Sequence, residues 1–421
     1  MDWLAATVVL MGLCAVILRA QPQHSWFKGN LHTHSLWSDG DEFPEMVTDW
    51  YKTNGYHFLA ISDHNALHEG NWWSPITTAQ ATNVYAKYLR RFGSPWVESG
   101  MVRTQFAARL KPLNEYRALF EEPNRFLLIQ SEEITASVGA GKIPVHMNAT
   151  NLRDLIQPPK ETNVFEVMQK TVDAVLAQRQ STGQPMFPHV NHPNYGWAIT
   201  AEEISQLKGE RFFEVYNGHP HVNNFGNGLH VSTERMWDII LTQRLSQDPT
   251  NVVYGLAVDD AHHYQGFSRT NSNPGRGWIM VRAPRLTVGS VIAALEQGDF
   301  YATTGVRLRE IDAEKNRLAI TIEPEAGVRY RTQFIGTRKG FDPASRPALG
   351  TNGLPVATTR IYSRDIGKVL AEISGTAPIY ALKGDEIYVR AKIISTKHKS
   401  NAIATNEVEV AWSQPLVPAT R

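Results

Sequence analysis

Histidine and carboxylate side chains recur at seven places in the first two-thirds of the chain, each next to a short apolar run. Nitrogen and oxygen atoms of these side chains are common ligands of divalent metal ions. The places are His32-Thr33-His34 with Asp39, Asp63-His64, Glu132-Glu133, His146, His189 to His192, Glu214, and Asp259 to His262. They could form one metal centre only if the fold brings the ends of the apolar runs together.

Two of these places carry candidate ligands two residues apart. Residues i and i+2 of an extended strand point to the same side, so His32 and His34 could bind one ion together. The same spacing relates Asp260 and His262. A single pair of this kind arises often by chance. Seven strand ends with such residues, in order along the chain, indicate a multinuclear metal site.

The apolar runs have the composition of strands, and amphipathic helices lie between most of them. We predict strands at residues 26–31, 56–61, 125–130, 143–148, 186–190, 212–216 and 252–258. We predict helices at residues 43–54, 164–178, 201–208 and 233–243, the third of them with a capping box at Thr200. Because the polar endings are spread over all seven strands, the pattern favours a parallel barrel over an open sheet.

Two segments depart from this alternation. Residues 69–124 are predicted to form a helical insertion, and an insertion after a strand end lies over the cavity mouth, where it could act as a lid. After Gly305, apolar and polar residues alternate, which is typical of antiparallel strands with one buried face. We therefore expect a barrel domain at residues 22–305 and a smaller antiparallel β domain at residues 306–421.

The first 21 residues form a separate segment. An uncharged apolar run at residues 3–18, followed by Ala20, resembles a secretory signal with its cleavage site and is shorter than the roughly 20 residues that cross a bilayer. We expect an exported protein, periplasmic or secreted, with a retained anchor as the alternative. The only cysteine, Cys14, lies here, so a cleaved chain would have neither disulfides nor thiolate ligands.

The overall charge excludes a general attraction to polyanions. The 421 residues include 42 Lys and Arg against 41 Asp and Glu, a formal net charge of +1. No global field therefore draws the protein to nucleic acid or to an anionic membrane. We expect a small phosphorylated or ester-type substrate, no nucleic-acid partner, and no membrane contact beyond the N-terminal segment.

The strings around the candidate ligands resemble the successive motifs of the PHP (polymerase and histidinol phosphatase) superfamily. They are GNLHTHSLWSDGD at 29–41, AISDHN at 60–65, SEEIT at 131–135, VHMN at 145–148, NHPN at 191–194 and DDAHH at 259–263. The resemblance covers roughly residues 26–305. It implies an α/β fold, a distorted (β/α)7 TIM-like barrel, with two or three divalent ions (Zn, Mn or Fe) that hydrolyse phosphoesters. The antiparallel domain, expected to be β-sandwich-like, resembles an appendage of some members.

The resemblance also implies which residues bind the ions. The nine ligands would be His32, His34, Asp39, His64, Glu133, His146, His192, Asp260 and His262. Glu133 is preferred to Glu132 because Ile134 follows it, and His192 is preferred to His189 because a proline follows it. Nine nitrogen and oxygen ligands exceed the coordination of one ion, so at least two ions are expected.

Polar residues near these ligands have less specific assignments. Asp63 is interpreted as orienting a ligand histidine, and His189 as a core histidine or one that supports a ligand. Asp259 should face away from Asp260, because adjacent residues of a strand alternate. Glu214 could either shape the cavity floor or serve as a hydrogen-bonded structural residue.

Residues that act on the substrate are harder to assign. His219, His221 and His263 lie just beyond strand ends and are candidates for a general acid; we take His221, with His64 and Asp260, as catalytic. Arg276, in a glycine-rich stretch at residues 273–278, and Lys28, beside the first motif, are candidate phosphate-binding residues, because a guanidinium matches two phosphate oxygens and glycines let the backbone approach an anion. Structural salt bridges are the alternative for these two cations.

The predicted reaction is hydrolysis of a phosphate ester by a water molecule between two ions, since coordination lowers its pKa from about 16 to about 7. A nuclease is disfavoured because no run of Lys or Arg accompanies the motifs. A C–N or C–O hydrolase could use the same centre. A non-catalytic, metal-stabilised module that binds carbohydrate or protein is the alternative from another class.

Overall fold

The computed structural model of the chain describes residues 24–314 and 316–418. The predicted signal or anchor at residues 1–21, which contains Cys14, lies outside the described residues. Among the helices of the described part, none is long and apolar enough to cross a membrane.

The described residues form a mixed α/β structure with 21 strands and seven helices. The strands are β1 (Ser25–Asn30), β2 (Phe58–Ile61), β3 (Trp72–Pro75), β4 (Ser99–Val102), β5 (Gln105–Leu110), β6 (Leu127–Val138), β7 (Ile143–Thr150), β8 (Phe187–Val190), β9 (Phe212–Asn217), β10 (Tyr254–Val258), β11 (Trp278–Ala283), β12 (Phe300–Thr303), β13 (Leu308–Glu314), β14 (Arg317–Ile322), β15 (Tyr330–Arg338), β16 (Ser345–Arg346), β17 (Ile361–Tyr362), β18 (Lys368–Ser374), β19 (Ile379–Ala381), β20 (Glu386–His398) and β21 (Val408–Ser413). The helices are α1 (Pro44–Thr53), α2 (Ala79–Phe92), α3 (Leu113–Phe120), α4 (Val164–Thr182), α5 (Ala201–Gln206), α6 (Thr233–Gln247) and α7 (Val288–Glu296).

Thirteen strands form one large sheet, in the order β10-β9-β8-β7-β6-β2-β1-β11-β12-β21-β20-β15-β18. The pairs β1–β2, β2–β6, β8–β9 and β9–β10 are parallel. The ladder of the described strands does not close; one parallel bridge, Thr33 with Ala261, joins the chain after β1 to the chain after β10. A large sheet rich in parallel pairs is therefore observed, whereas the closed TIM-like barrel stays a prediction.

Strand β7 corrects the expectation of an all-parallel arrangement. It runs antiparallel to both β6 and β8. Only residues 139–142 separate β6 from β7, and a parallel crossover needs a dozen or more residues. Gly139 and Gly141 adopt positive φ angles of 61° and 81° in this tight turn, a conformation that glycine tolerates without strain.

Helices α4, α5 and α6 begin at the predicted residues, whereas α4 and α6 each extend four residues beyond their predicted ends. The predicted capping box is present: the Thr200 side chain accepts from Glu203 N, and the Glu203 side chain accepts from Thr200 N. Helix α4 begins after Asn163, whose side chain caps Glu166 N, and ends at Gly183 in the left-handed conformation. The helices bury their apolar faces against the main sheet. Trp237 of α6 packs so closely on Gly255 of β10 that a Cβ there would lie 2.9 Å from the indole ring.

The insertion at residues 69–124 is not purely helical. Helices α2 and α3 coincide with the predicted ones, but β3, β5 and β4 form a separate three-stranded antiparallel sheet that was not predicted. These strands have only four to six residues, too few for a clear period of alternation. Whether the insertion acts as a lid stays a prediction.

The C-terminal part is antiparallel, as predicted. Strands β12, β21, β20, β15 and β18 extend the main sheet, and β13, β14 and β19 form a second sheet. An apolar cluster lies between the two sheets and includes Leu318, Ile320, Phe334 and Ile393. The main sheet runs without interruption from one part into the other. The domain boundary at residue 305 therefore stays a prediction.

Candidate metal centre

The predicted ligands meet where the parallel strands end. His32 and His34 follow β1, His64 follows β2, and Asp260 follows β10, and parallel strands place their carboxyl ends at one edge. Backbone hydrogen bonds tie these segments together: Asp260 N donates to His32 O and His34 N donates to Ala261 O, both at 2.9 Å. The site is thus built on the sheet rather than on free loops.

Glu133 was expected just beyond the end of a strand at residues 125–130, but it lies inside a longer strand. It lies within the 12-residue strand β6, not beyond its end, and His146 lies within β7. The β6–β7 hairpin continues past the centre, with one parallel bridge between His64 and Glu133. Strand alternation still separates the two glutamates: Glu132 turns away and accepts from Ile156 N at 3.0 Å.

Two carboxylate oxygens each lie close to the same two imidazole nitrogens. Glu133 Oε2 lies 3.4 Å from Nε2 of both His32 and His34. Asp260 Oδ1 lies 3.3 Å from His32 Nε2 and 3.2 Å from His34 Nε2. Ligands placed tetrahedrally at about 2.0–2.1 Å from a zinc-sized ion stand about 3.3–3.4 Å apart. These four nitrogen–oxygen distances match the separation of neighbouring ligands around a divalent ion.

Three of these four atoms have no hydrogen-bond partner. They are His32 Nε2, His34 Nε2 and Glu133 Oε2, and all three residues are fully buried. An unsatisfied buried polar atom costs about 1–3 kcal/mol, so native structures rarely retain one. Coordination of a metal ion would satisfy all three atoms at once. The residues present therefore fit a divalent metal.

Two further groups of candidate ligands adjoin the first. Glu133 Oε2 lies 2.8 Å from His64 Nδ1, and Glu133 Oε1 lies 3.1 Å from His146 Nδ1 and 3.4 Å from His192 Nε2. Glu133 thus stands between two groups, as a bridging carboxylate would.

The third group surrounds Asp39, on the open side of the centre. Its carboxylate oxygens lie 3.3 Å from His262 Nε2, 3.6 Å from His64 Nε2 and 3.7 Å from His34 Nδ1. The structure thereby brings all nine predicted ligands together.

The sharing of one ion by Asp260 and His262 stays a prediction, with His262 Nδ1 3.6 Å from Asp260 Oδ1. Asp260 and His262 fall into different groups, although their spacing suggested one shared ion. Asp260 has a left-handed φ of 49°, so the chain leaves the extended conformation at this residue and the i, i+2 rule no longer applies.

The electrostatics of the cluster favour cations. Burial alone would raise the pKa of Glu133 and of Asp260, but the surrounding histidines outweigh it and hold both pKa values well below the usual range. Burial opposes a charge on His64 too, yet Glu133 and Asp39 raise its pKa to about 11. Burial and the positive charge of His262 lower the pKa of His34 to about 4. The carboxylates therefore stay ionised, and divalent ions would compete with protons for the imidazoles.

Glu214 is a supporting residue beneath the ligands. It is fully buried, and its carboxylate contacts His32 Nδ1 at 2.6 Å and accepts from His192 N at 2.8 Å. Asn217 Nδ2 donates to Glu214 Oε2 at 2.8 Å and to Asp260 Oδ2 at 3.0 Å. His189 Nε2 lies 3.2 Å from the same glutamate, behind the ligands as predicted. Such a carboxylate fixes the tautomer and orientation of a ligand histidine.

Asp63 does not orient a ligand histidine, so that interpretation is wrong. Its carboxylate accepts from Ser35 N at 2.8 Å and from Ser35 Oγ at 2.6 Å, and Ser38 Oγ also donates to it. His68 Nε2 lies 2.6 Å away on the other side. Asp63 therefore orders the loop that carries Asp39, because the two serines lie in that loop.

Two residues that contact ligands were given no role in the sequence analysis. Asn191 Nδ2 donates to Glu133 Oε1 at 2.7 Å, and Thr135 Oγ1 lies 2.5 Å from His64 Nδ1. Both lie inside the quoted motifs, next to His192 and two residues after Glu133. The alternation of β6 could have identified Thr135, since it shares a strand face with Glu133.

Neither candidate phosphate-binding cation lies at the centre. The guanidinium of Arg276 is buried and donates to the carbonyl oxygens of Gly218, Asn271 and Ser268 at 2.6–2.9 Å. The ammonium of Lys28 lies over the rings of Tyr56 and Trp278, at 3.8 and 4.3 Å from their centroids. Both assignments are contradicted, because these groups are already used within the protein.

The structure separates the three candidate acids. His221 is exposed and meets the site only through its backbone N–H, which donates to His219 Nδ1 at 3.2 Å. His263 Nδ1 is engaged by Ser272. The ring of His219 lies closest, 5.4 Å from that of His262, and burial lowers its pKa to about 4 although Asp260 raises it. The geometry thus favours His219 over the predicted His221.

Several solved structures, two of which are named below, are similar to the chain. No family model and no curated protein matches the chain. A two-domain protein from Bacteroides vulgatus ATCC 8482, containing a predicted PHP-like metal-dependent phosphoesterase, is similar over 94% of this chain and 96% of its own, with 13% identity and a TM-score of 0.40. A proposed metal-dependent phosphoesterase from Bifidobacterium adolescentis ATCC 15703 is similar over 56% of this chain and 88% of its own, with 13% identity and a TM-score of 0.30.

Proposed function

We propose that this protein is a metal-dependent hydrolase that cleaves phosphate esters. The observation that supports it most directly is that Glu133 Oε2 and Asp260 Oδ1 each lie 3.2–3.4 Å from Nε2 of both His32 and His34, while three of these four atoms form no hydrogen bond. Buried atoms arranged in this way favour a bound cation. Catalysis by that cation would also require a side of the site that is open to substrate. Asp39, whose side chain is 57% exposed, supplies that open side.

Each of the three groups would hold one ion, so we propose up to three. Bound divalent ions would supply Lewis acidity and would activate water near neutral pH. Glu133 would hold two of the ions at a fixed separation, because its two oxygens face different groups of histidines. Glu214 would keep the proton of His32 on Nδ1, leaving Nε2 free as a ligand.

His219 would contribute a hydrogen bond to the substrate. Its Nδ1 accepts from the backbone of His221, so the neutral ring carries its proton on Nε2. Because the pKa of His219 is lowered to about 4, the ring stays neutral at physiological pH. His219 would then act as a donor to a substrate oxygen rather than as a general acid.

The remaining expectations are part of the same proposal. We propose a small phosphorylated or ester-type substrate, since the net charge is close to zero. We also propose export, from the sequence of residues 1–21. Hydrolysis of a C–N or C–O bond by the same centre is the second candidate, because an activated water attacks carbonyl carbon as well as phosphorus.

The test is a panel of chromogenic phosphomonoester, phosphodiester and carboxylic ester substrates, each with and without chelator. We expect turnover of a phosphoester that chelator abolishes and that added Zn²⁺, Mn²⁺ or Fe²⁺ restores. Turnover of the carboxylic ester alone would favour the second candidate. Purified protein that binds none of these ions and hydrolyses nothing would contradict the proposal.

A further inference from the structure

Arg276 occupies an unusual position for a buried cation. It is fully buried, and all of the side-chain hydrogen bonds described for it go to carbonyl or amide oxygens. Five such bonds leave its guanidinium no freedom to bind an external anion. A residue with this many fixed hydrogen bonds holds segments of backbone in place.

The segments that Arg276 holds flank the metal centre. Its Nη1 donates to Gly218 O at 2.9 Å, and Gly218 directly follows Asn217, the donor to Asp260 Oδ2. Its backbone N donates at 2.6 Å to the carboxylate of Asp259, the residue before Asp260. Asp259 faces away from Asp260, as predicted, and also accepts from Gly275 N and Gly277 N at 2.9 Å. Arg276 thus contacts the chain neighbours of both the ligand and its donor.

Gly218, Asp259 and Arg276 are tightly packed against one another. A Cβ on Gly218 would lie 2.7 Å from Asp259 O and 2.8 Å from the Cβ of Arg276. Asp260 has a left-handed φ of 49° and lacks the conformational freedom of glycine, so the surrounding structure must hold this conformation. A small displacement of Asp259 or Gly218 would therefore move the carboxylate of Asp260.

The same guanidinium reaches the C-terminal part of the chain. Arg276 Nε donates to both the backbone O and the side-chain Oδ1 of Asn401, each at 3.2 Å. Asn401 Nδ2 donates in return to Pro274 O at 2.9 Å. Asn401 lies in the loop between β20 and β21, and Arg276 lies in the loop that precedes β11. The first loop therefore supports the second.

We propose that Arg276 is a positioning residue for the metal ligand Asp260, and that it conveys support from the C-terminal segment through Asn401. This inference rests on the proposed metal centre. It assigns the C-terminal β region a part in metal binding, although that region supplies none of the ligands. Loss of Arg276 would weaken metal binding without removing any ligand.

The test compares Arg276→Lys with Arg244→Lys. Arg244 is a matched control: it is also buried and donates to backbone carbonyls, those of Ser205, Glu210 and Ile204, before the start of β9 and so away from its ligand-bearing end. Lysine keeps the charge but cannot span several acceptors as a guanidinium does. Zn²⁺ and Mn²⁺ affinities are measured by chelator competition, and thermal unfolding is recorded for each variant in the presence of chelator.

We expect Arg276→Lys to bind metal about 10- to 100-fold more weakly, as for other residues that orient ligands. Arg244→Lys should lose comparable thermal stability but retain wild-type metal affinity. Equal affinities in the two variants would overturn the inference while leaving the proposed function intact. A wild-type protein that binds neither ion would overturn both.

Asn401→Ala provides a second variant in case Arg276→Lys fails to fold. It removes one acceptor of Arg276 and the hydrogen bond to Pro274 O, and it leaves the backbone carbonyl in place. We expect a weakening of metal binding in the same direction but only a few-fold, because the other acceptors of the guanidinium remain. Unchanged affinity in this variant would contradict the proposed route through Asn401.

Discussion

Two buried polar regions of this protein are built in opposite ways. Where α6 meets β20, the Asp238 carboxylate accepts from Tyr388 Oη, Arg390 Nε and Arg390 Nη2, each at 2.8 Å. At the metal centre, by contrast, imidazole stacks on imidazole: the rings of His34 and His262 lie 4.0 Å apart. Three atoms that face the middle of the centre form no hydrogen bond, whereas the Asp238 carboxylate accepts three, although Nη1 of its partner Arg390 forms none.

The contrast separates buried polar groups that stabilise the fold by binding each other from buried polar groups that would bind a ligand. An ion pair of opposite charges with short hydrogen bonds compensates its own desolvation and needs no ligand. A cluster of like side chains with unsatisfied atoms does not compensate it, and such local conflict is expected at functional sites. The predictions below test this division, beginning with the largest effect on metal binding.

Removing a ligand should have the largest effect. Asp260→Ala and His64→Ala each delete an atom from the centre, so we expect loss of bound metal and a fall in turnover beyond the roughly 100-fold typical of supporting residues. Metal content by elemental analysis and initial rates on the best substrate of the panel measure this. His398→Ala, at an exposed histidine of β20, is the control and should match the wild type. Retained activity with full metal content in either ligand variant would refute the assignment.

Removing a supporting residue should have an intermediate effect. Glu214→Gln keeps the size of the side chain but loses the charge that orients His32. We expect metal affinity to fall about 10- to 100-fold, with the protein still folded. Chelator competition gives the affinity, and circular dichroism checks the fold. A variant with unchanged affinity would show that Glu214 belongs with the structural group rather than with the centre.

The stabilisation of the protein by bound metal should depend on pH. Without metal, His64 has a pKa raised from 6.5 to about 11, so its contribution to stability is full below pH 6.5 and is lost as pH rises towards 11. The lowered pKa values of Glu133 and Asp260 contribute stability that is lost as pH falls below their ordinary values of 4.5 and 3.8. The pKa of His34 is lowered to about 4, so His34 reduces stability as pH falls from 6.5 towards 4, and chelator-treated protein should be most stable near pH 6.5.

Metal should then stabilise the protein more as pH rises, because ions compete with protons for the imidazoles. Thermal unfolding at about pH 5, 7 and 9, with and without Mn²⁺, measures the difference. The same increase in melting temperature at all three values would be inconsistent with a site built from titrating histidines.

Disrupting the structural ion pair should have the smallest effect on the centre. Asp238→Ala removes the hydrogen-bonded partner of the buried Arg390 and leaves only Glu234, 3.9 Å from Nη1, so we expect a cost of about 3–5 kcal/mol of unfolding free energy. The folded fraction should nevertheless bind metal as tightly as the wild type. Denaturant unfolding combined with metal titration tests both halves of this expectation. Weakened metal binding in folded Asp238→Ala protein would contradict the claim that the Asp238–Arg390 region is independent of the metal centre.

Much of the fold could be predicted because local patterns determine it. Every strand and helix predicted before residue 260 is present, including the capping box at Thr200. The direction of a strand relative to its neighbours could not be predicted in the same way, because alternation along one strand does not determine how the next strand runs. The antiparallel direction of β7 follows from the four-residue turn that precedes it. The short strands of the insertion lacked enough residues to show a period.

The site was predictable for similar reasons and failed where long-range contacts decide. The resemblance to the PHP motifs implied the nine residues that converge, whereas residue type and spacing alone suggested only pairs such as His32 with His34. Arg276 looked like a phosphate ligand from its glycine-rich surroundings, but its guanidinium is bound by carbonyls from distant segments. Likewise Asp63 pairs with serines and His68 rather than with a ligand, which no local pattern could reveal.

The most direct test is anomalous diffraction from crystals grown with Zn²⁺ or Mn²⁺. The account predicts a peak about 2.0–2.2 Å from His32 Nε2, His34 Nε2, Glu133 Oε2 and Asp260 Oδ1 together, with further peaks between Glu133 and His146 or beside Asp39. A structure at full metal concentration with no peak among those four atoms, or with these side chains turned apart, would contradict it.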